Sequence, residues 1–382
     1  MSEKILISGN EAIAEAAIRS GCGAYFGYPI TPQNELIAYM AKHMLDRGRV
    51  FIQAESEVAA INMVYGASCA GARAMTSSSS PGISLKQEGI SYGAGADVPM
   101  VIVNIARGGP GLGSISPAQS DYFQATRGGG HGDYRSIVLA PESVQESVDL
   151  TCLAFDLSDK YRMPAQILAD GMIGQMLESG IVFPPEKSPS HIPERNWTAG
   201  KMSERTPDSG GRKEARHITS LYIRPEDLEA VTKARFARYR TVEENEVRFE
   251  NIDCENADLV LTAYGISARV CREARRLAVK EGIKLGLFRP ITLWPFPKQE
   301  LGKIALTGKP ILTVEMSQGQ FIEDVKLSVF ETAAEQMKTA PGGVHLNTNI
   351  HLLAHSGGII PTEDEVLSEA MRLLGKQRIE DK

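Results

Sequence analysis

Short apolar runs and segments with helical spacing alternate along the first 170 residues. The apolar runs predict β-strands at 24–28, 49–53, 73–76, 99–105, 136–140 and 163–169. Apolar positions at helical spacing predict helices between them, at 11–20, 32–47, 58–72, 83–94 and 141–159. Strands that alternate with helices indicate a parallel sheet covered on both faces. The predicted fold class is therefore α/β with a doubly wound parallel sheet.

The segment 58–72 is the most unusual of these helices, because almost all its side chains are small or apolar. A helix that is apolar on all sides is expected to be buried. Glu55 and Glu57 lie at its entrance, where the helix dipole stabilises an acid. A carboxylate held out of water at this position can share a proton with a ligand. Acids in a first helical turn are also common without any such role.

Polar side chains follow several of the predicted strands directly: Thr31, Glu57, the serines at 77–80, and Arg107. In doubly wound sheets, ligands bind outside the carboxyl ends of the strands. A guanidinium and a hydroxyl at this edge can bind the carboxylate of a small acid. Taken singly, Thr31 also suits a helix cap before Pro32, and Arg107 suits a solvated loop.

The segment 107–135 is a long glycine-rich loop. Loops of this length without structure are uncommon unless they are functional, and this one contains aromatic residues, so we expect an ordered loop that forms part of a site. Its glycine run resembles a nucleotide-binding fingerprint only superficially, because Pro110 interrupts it, and this disfavours a nucleotide-dependent dehydrogenase. His131 is a possible acid or base, although a lone histidine is more often structural.

The composition changes after residue 183. Residues 184–216 are rich in proline, serine and charged side chains, which predicts a linker or an extended arm. A charged amphipathic helix is expected at 225–245. A second α/β unit follows, with strands at 259–263, 284–288 and 310–315 and helices at 267–280 and 361–374. The proline-rich segment 289–297 predicts a rigid turn. We therefore predict three parts, 1–183, a linker at 184–256, and 257–382.

Composition narrows the possible functions. A net charge of -6 over 382 residues gives no sign of nucleic-acid binding. The chain contains no run of about 18 apolar residues, so no membrane span is predicted. The N-terminus lacks the features of a signal peptide, and we therefore expect a cytoplasmic protein. The nearest two of the five cysteines, Cys254 and Cys271, are 17 residues apart, which excludes the usual local zinc and iron–sulfur motifs; we predict no metal ligands in this chain.

An ordered set of motifs resembles a known family. The motifs are G-N-E-A-I-A-E-A-A-I at 9–18, Y-P-I-T-P at 28–32, E-S-E-V-A with Gly66 nine residues after Glu57, A-R-G-G-P-G-L-G from 106, A-Y-G-I-S-A-R and R-P-I-T-L-W-P-F-P. Together they resemble the alpha subunit of 2-oxoacid:ferredoxin oxidoreductases. They span most of the chain except about 184–250.

The resemblance implies a thiamine-diphosphate enzyme that decarboxylates a 2-oxoacid oxidatively to an acyl-CoA and carbon dioxide, with coenzyme A as cosubstrate and ferredoxin as the electron acceptor. It implies that 1–183 forms a pyrimidine-binding domain and that the last part is a domain of transketolase C-terminal type. It also implies partners: a beta subunit that shares the cofactor and its Mg²⁺, and gamma- and delta-type subunits, with the 4Fe–4S clusters held by the partners.

Residue roles carried over from this family are expectations. Glu57, selected over Glu55 by its register to Gly66, would be the catalytic acid that hydrogen-bonds the aminopyrimidine ring. Tyr28 and Pro29 would join it in cofactor binding. Thr31 and Arg107 would bind the substrate carboxylate. The sequence after G-G-P-G-L-G is similar to that of branched-chain enzymes, which favours 2-oxoisovalerate; a 2-oxoglutarate enzyme and a non-catalytic scaffold subunit are the alternatives.

Overall fold

The computed structural model describes residues 5–188, 192, 194–199, 217–339 and 346–376. Its strands are β1 (Ile5–Ser8), β2 (Ala24–Gly27), β3 (Val50–Gln53), β4 (Ala74–Ser78), β5 (Met100–Ala106), β6 (Ile137–Leu139), β7 (Pro164–Asp170), β8 (Leu177–Ile181), β9 (Phe249–Ile252), β10 (Leu259–Thr262), β11 (Leu285–Pro290), β12 (Thr292–Trp294), β13 (Ile311–Glu315) and β14 (Ile350–Ala354). Its α-helices are α1 (Gly9–Arg19), α2 (Asn34–Asp46), α3 (Glu57–Cys69), α4 (Ser80–Gly95), α5 (Tyr122–Arg127), α6 (Val144–Tyr161), α7 (Gly171–Gln175), α8 (Pro225–Asn245), α9 (Gly265–Ala278), α10 (Lys298–Ala305), α11 (Phe321–Thr339) and α12 (Glu363–Leu373).

The first half of the chain is built on a seven-stranded sheet in the order β12-β6-β7-β5-β4-β2-β3. The strands from β6 to β3 are parallel to one another. Alternate residues of β5 separate two cores: Val101 and Val103 pack with residues of α1, α2 and α6, whereas Met100 and Ile102 pack with residues of α3 and α4. Helices therefore cover both faces, and the predicted doubly wound fold is confirmed.

One edge strand of this sheet comes from the second half of the chain. β12 pairs antiparallel with β6, with Thr292 opposite Leu139 and Trp294 opposite Val138. The sequence analysis predicted a rigid turn here, and that prediction was wrong. Prolines flank β12, and proline is tolerated where a strand has only one neighbour, so a proline-rich segment can still complete a sheet at its edge.

The second half contains a five-stranded sheet in the order β14-β13-β10-β11-β9. Its core strands are parallel, which agrees with the predicted second α/β unit, and β9 pairs antiparallel with β11. β9 lies within the segment predicted as a linker. The same segment contains α8, at the bounds expected from its charge pattern. Residues 189–191, 193 and 200–216 of the predicted arm lie outside the described residues.

The two halves are joined through the loop that follows β5. Gln119 of this loop accepts hydrogen bonds from Ser267 Oγ at 3.0 Å and the Met316 amide at 2.9 Å, and it donates one to the Tyr264 carbonyl at 2.8 Å. The Asp170 carboxylate accepts one from the Ile266 amide at 3.0 Å. The second half therefore fixes the glycine-rich loop over the carboxyl edge of the first sheet. Among the described helices, none is both long and apolar enough to cross a bilayer.

Candidate active site

Glu57 occupies the first position of α3, directly after the turn that follows β3. Ser56 caps the helix, because its Oγ accepts a hydrogen bond from the Ala59 amide at 3.2 Å. The Glu57 side chain is 7% exposed, whereas the neighbouring Glu55 is exposed. The structure thus buries Glu57, the acid that the register to Gly66 selects, and leaves Glu55 exposed.

The start of α4 forms the wall against which Glu57 packs. A Cβ added at Gly82 would lie 2.6 Å from Glu57 Oε1, so a larger residue at this position would displace the carboxylate. Within the part of the chain that the structure describes, the Glu57 carboxylate accepts no hydrogen bond. Its oxygens therefore remain available to a ligand that brings a donor.

The Y-P-I-T-P loop is held from behind by buried amides. Asn10 Nδ2 donates a hydrogen bond to the Pro32 carbonyl at 2.8 Å, and Gln33 Nε2 donates one to the Tyr28 carbonyl at 3.2 Å. Gln33 Oε1 in turn accepts a hydrogen bond from Ser77 Oγ at 2.6 Å. Sequence reasoning missed Asn10 and Gln33, although Asn10 lies inside a family motif. This support leaves the side chain of Tyr28 38% exposed at the front of the loop, next to the exposed Pro29.

Thr31 does not cap α2, contrary to the sequence prediction. The helix begins at Asn34, and Gln33 occupies the cap position without a side-chain cap bond. Thr31 Oγ1 instead accepts a hydrogen bond from Asn34 Nδ2 at 3.2 Å. Thr31 and Pro32 form a turn, in which the Gln33 amide donates a hydrogen bond to the Ile30 carbonyl at 3.0 Å. The Thr31 hydroxyl therefore lies in the loop rather than in the first turn of the helix.

The structure brings Arg107 against Thr31. Arg107 Nη1 donates a hydrogen bond to the Thr31 carbonyl at 2.9 Å, and Nη2 donates one to the Leu112 carbonyl at 3.2 Å. The Arg107 Nε atom is buried and has no partner among the described residues. The guanidinium is thus fixed through two of its five N–H donors, and the unpartnered donors, Nε–H among them, can meet an anion.

The turn that opens α4 connects this pair to Glu57. Ser80 Oγ accepts a hydrogen bond from the Arg107 amide at 3.0 Å and donates one to the Arg107 carbonyl at 3.1 Å. Gly82, in the same turn, contacts Glu57. Thr31, Glu57 and Arg107 therefore lie along one edge of the sheet, as the predicted strand ends indicated.

Asp121 is a buried acid beside this edge that sequence reasoning missed. Its carboxylate accepts a hydrogen bond from Asn104 Nδ2 at 2.7 Å, and burial raises the pKa of Asp121 while hydrogen bonds from Ser80 and Asn104 lower it. Nothing in the local sequence sets this aspartate apart from a solvated loop acid. Only the return of the loop across β5 places it in the interior.

The glycine-rich loop is ordered, as expected from its length and composition. It contains α5 and is anchored by Gln119, but its tip exposes Leu112 (83%) and Ile115 (66%). His131 is exposed, and its backbone carbonyl accepts a hydrogen bond from Ser91 Oγ at 2.8 Å. The structure thus gives the backbone of His131 a part in anchoring the loop to α4.

The outer face of α3 is exposed, which contradicts the prediction that this helix is buried on all sides. The apolar composition of 58–72 predicted a helix buried on all sides, but Val58 is 42% exposed and Asn62 and Gly66 are exposed as well. Ile52 of β3 is also 42% exposed, and Tyr28 follows the neighbouring strand β2. The prediction was wrong for the single chain, because among the described elements none covers this side of α3.

Other chemistry-bearing groups lie away from this edge. In the described ranges, no group of three or more His, Cys, Asp or Glu side chains is arranged to hold a metal ion, and all five cysteines are free thiols. A surface cleft of about 530 Å³ in the second half is lined by Asp253, Arg275 and Lys284 among others. None of the predicted site residues lines that cleft.

Two family models match the chain. The model described as "Pyruvate flavodoxin/ferredoxin oxidoreductase, thiamine diP-bdg" matches residues 15–246, and "Pyruvate:ferredoxin oxidoreductase core domain II" matches residues 257–348. The chain belongs to the 2-oxoacid:ferredoxin oxidoreductase family. This confirms the resemblance that the ordered motifs indicated.

Named relatives agree with this family. The chain is 50% identical over 324 residues to the ketoisovalerate oxidoreductase subunit VorB of Methanothermobacter marburgensis, covering 85% of this chain and 89% of the relative. It is 34% identical over 390 residues to the 2-oxoglutarate synthase subunit KorA of the same organism, covering 97% and 99%. Both relatives are named as subunits of enzymes.

Solved structures support the same fold. A 2-oxoglutarate:ferredoxin oxidoreductase from Magnetococcus marinus, with 2-oxoglutarate, coenzyme A and succinyl-CoA bound, matches with a TM-score of 0.78 and 25% identity, covering 98% of this chain and 66% of that one. A split-gene transketolase matches with a TM-score of 0.56 and 15% identity, covering 97% and 99%, which supports the fold alone.

The residues along the edge fit the thiamine diphosphate named in the family description. Glu57 offers a largely buried carboxylate, 7% exposed, that accepts no hydrogen bond within the described chain and so can meet a ring nitrogen. Gly82 leaves room for the carboxylate at the start of α4. The unpartnered Nε of Arg107 fits an anionic substrate beside that ring.

Proposed function

We propose that this chain supplies the pyrimidine side of a thiamine-diphosphate site in a heteromeric 2-oxoacid:ferredoxin oxidoreductase, and that its substrate is 2-oxoisovalerate. The observation that carries the catalytic role is the buried carboxylate of Glu57 at the start of α3. The substrate rests on similarity, since identity to the ketoisovalerate relative is 50% and identity to the 2-oxoglutarate relative is 34%.

Glu57 would hydrogen-bond a ring nitrogen of the aminopyrimidine and share a proton with it. When bound, the cofactor supplies the electron sink that the loss of carbon dioxide requires. Because the Glu57 side chain is largely buried and packs against Gly82 at the start of α4, few water molecules would compete for the shared proton. Tyr28 and Pro29, at the front of the neighbouring loop, would line the ring.

Thr31 and Arg107 would bind the carboxylate of the 2-oxoacid. The guanidinium is held rigidly by the Thr31 and Leu112 carbonyls, so it needs no reorganisation when the anion arrives. Its buried Nε and the Thr31 hydroxyl provide donors on the same side of the sheet edge. These groups orient the substrate and take no part in proton transfer.

The site would be completed by other subunits. We infer a beta-type subunit that binds the diphosphate and Mg²⁺, and gamma- and delta-type subunits with 4Fe–4S clusters that pass electrons to ferredoxin, with coenzyme A as the acyl acceptor and the assembly in the cytoplasm. Relatives named as enzyme subunits support an assembly. The exposed apolar side chains of Tyr28, Ile52 and Val58 beside the site give a partner a surface to cover.

The role of Glu57 is tested by replacing it with glutamine in the assembled complex. Glu57→Gln keeps the shape but cannot share a proton as a carboxylate does, so kcat/KM for 2-oxoisovalerate should fall by about 100- to 1000-fold. Glu55→Gln, two residues away and exposed, is the matched control and should change kcat/KM less than about twofold. Wild-type turnover by the Glu57→Gln complex would reject the proposal and favour a scaffold subunit.

The substrate is tested separately, by comparing kcat/KM of the wild-type complex for 2-oxoisovalerate, 2-oxoglutarate and pyruvate. We expect the highest value for 2-oxoisovalerate. The 2-oxoglutarate relatives and the structural match at a TM-score of 0.78 make 2-oxoglutarate the second candidate. A higher kcat/KM for 2-oxoglutarate would change the substrate but leave the role of Glu57 intact.

A further inference from the structure

Ser78 carries a buried hydroxyl that the proposed function does not yet use. It is the last residue of β4 and is fully buried, and its Oγ has no hydrogen-bond partner among the described residues. A hydroxyl buried without a partner costs free energy, and most buried polar groups in folded proteins are therefore hydrogen-bonded. A partner that becomes available when the site is loaded would explain why a hydroxyl is kept at this position.

The alternation of β4 places Ser78 on the side of the sheet that α3 and α4 cover. Ala74 and Ser78 lie on the same face of the strand, and Ala74 belongs to the core formed with residues of α3 and α4. Met75 lies on the opposite face and belongs to the core that contains residues of α1 and α2. The Ser78 side chain is therefore directed towards the helices α3 and α4, at the end of the sheet where Glu57 lies.

Gly82 of α4 brings the Ser78 hydroxyl and the Glu57 carboxylate close together. A Cβ added at Gly82 would lie 2.0 Å from Ser78 Oγ and 2.6 Å from Glu57 Oε1. Two atoms at these distances from one point can be no farther apart than the two distances together, and the glycine has no side chain to separate them. No hydrogen bond joins the two oxygens in the free chain, but a small rotation of either side chain is enough to bring them within hydrogen-bond distance.

Asn104, on the neighbouring strand β5, is a second acceptor near Ser78. It lies opposite Ser78 in the register of β4 and β5, and its Oδ1 is also buried without a partner among the described residues. Its Nδ2, however, donates a hydrogen bond to Asp121 at 2.7 Å, which fixes the plane of the amide. The Glu57 carboxylate has no such anchor, so it is the group that a further hydrogen bond would orient.

We propose that Ser78 is a positioning residue, whose hydroxyl donates a hydrogen bond to one oxygen of the Glu57 carboxylate when the other oxygen meets the aminopyrimidine ring of thiamine diphosphate. The inference rests on the proposed function of Glu57. The terminal torsion of a glutamate is broad, so a carboxylate held by packing alone can rotate. A hydrogen bond to its second oxygen fixes the plane of the carboxylate and so keeps the first oxygen aligned with the ring nitrogen.

The free chain and the loaded site should respond to loss of this hydroxyl in opposite ways. In the free chain the hydroxyl has no partner, so Ser78→Ala removes a buried polar atom that costs stability. In the loaded site the same change removes a hydrogen bond and leaves the carboxylate free to rotate. A residue that only packs would instead support both the fold and the binding of the cofactor, and its replacement would weaken both.

The experiment measures the dissociation constant of thiamine diphosphate, by protein fluorescence quenching, in the assembled complex. The variants are Ser78→Ala, Glu57→Ala and the double variant, which together form a double-mutant cycle. We expect Ser78→Ala to raise the dissociation constant about 3- to 10-fold where Glu57 is present, since one hydrogen bond is lost. In the Glu57→Ala background the same change should leave the dissociation constant nearly unaltered, because the acceptor is absent.

Thr76→Val is the matched control. Thr76 lies two residues earlier on the same face of β4, is fully buried, and has an Oγ1 without a partner among the described residues. Valine puts a methyl group in place of the hydroxyl, so this change also removes an unpartnered buried hydroxyl and should leave the dissociation constant unchanged. Denaturant unfolding of the purified Ser78→Ala and Thr76→Val chains should give midpoints no lower than that of the wild type.

Several results would overturn the inference. A Ser78→Ala effect of equal size with and without Glu57 would assign it to packing or to Asn104, and an effect matched by Thr76→Val would assign it to the strand. An unchanged dissociation constant in Ser78→Ala, a lower denaturant midpoint, or failure of that chain to join the partner subunits would overturn it as well, since a fully buried hydroxyl without a partner supports neither the fold nor an interface. Failure of the proposed function has another signature, namely equal dissociation constants in wild type and Glu57→Ala.

Discussion

At the scale of single residues, some residues of the site could be predicted from the sequence, whereas others could be recognised only from the fold. Thr31, Glu57 and Arg107 were predicted from strand ends and motifs, and they lie along one edge. Lys86, a fully buried lysine of α4, and the buried Asp121 were not predicted, because nothing in the local sequence shows that either side chain will be buried. Their burial is set by the packing of α4 on α3 and by the return of the loop over β5, which are contacts between distant segments.

Lys86 should also lower the stability of the fold at neutral pH. Its pKa falls from the ordinary value of 10.5 to about 8 by burial, against the opposing effect of Glu57. Between these values the unfolded chain binds more protons than the folded chain, so stability rises with pH across this window. Below pH 8 the folded chain bears the full cost of the buried ammonium. Lys86→Met should therefore raise the free energy of unfolding at pH 7 by up to about 3 kcal/mol.

Denaturant unfolding of the purified chain at pH 7 and at pH 10 measures the difference in the free energy of unfolding between Lys86→Met and the wild type. The advantage of Lys86→Met should shrink between pH 8 and 10.5. Any effect of the control variant Gln87→Met, which removes an uncharged buried side chain next to Lys86 on α4, should not change with pH. A Lys86→Met chain that is less stable at pH 7, or whose advantage stays constant, would contradict the expected cost.

At the scale of elements, periodicity predicted most helices and strands to within a few residues. It failed where burial depends on something outside the local segment. The apolar pattern of α3 correctly predicted that its surface would be poor in charge, but composition does not distinguish a face covered by the same chain from a face covered by another. β12 was missed for the related reason that its strand character comes from pairing with β6. Thr292 pairs with Leu139, which lies 153 residues earlier in the sequence.

The exposed face of α3 leads to a prediction about assembly. If a partner subunit covers it, Val58→Asp should place a charge in that interface and weaken association by at least about tenfold, while leaving the fold intact because Val58 is 42% exposed. Size-exclusion chromatography with the partner subunits and circular dichroism of the chain measure these two effects. Leu45→Asp is the control, since Leu45 is 63% exposed on α2, away from α3. Equal association of both variants with the partners would exclude this face from the interface.

At the scale of the whole molecule, a buried arginine joins the two halves. Arg289 of β11 is fully buried, and its guanidinium forms ion pairs with Glu142 at 3.0 Å, with Glu250 at 2.8 Å, and with Glu146. Glu142 and Glu146 belong to the first half, whereas Glu250 lies in β9. Burial raises the pKa of Glu142, and the charges of Arg272 and Arg289 oppose that rise. The arginines therefore place positive charge between acids that come from both sides of the junction.

Arg289→Met should destabilise the chain at pH 7 by up to about 3 kcal/mol, because it removes a buried guanidinium from the buried carboxylate of Glu142. Arg272, which also pairs with Glu142 and Glu250, keeps the loss at the lower end of what a broken buried ion pair costs. The loss should become smaller at pH 5, since burial raises the pKa of Glu142 and the variant lacks the Arg289 charge that opposes this rise, so Glu142 takes up a proton more readily. Denaturant unfolding at the two pH values measures both effects. Arg276→Met, which removes an exposed pair with Glu273, should have no measurable effect. An Arg289→Met loss that is the same at both pH values would indicate lost packing rather than lost charge.

The pairing of β12 with β6 limits where the chain can be truncated without exposing a strand edge. A fragment that stops after residue 183 would leave β6 with an open side, because its outer neighbour is supplied by residues 292–294. Open strand edges recruit other chains and promote aggregation. Producing the cofactor-facing half by truncation at the apparent linker should therefore yield insoluble material, and a soluble fragment would need the distant tripeptide grafted back alongside β6.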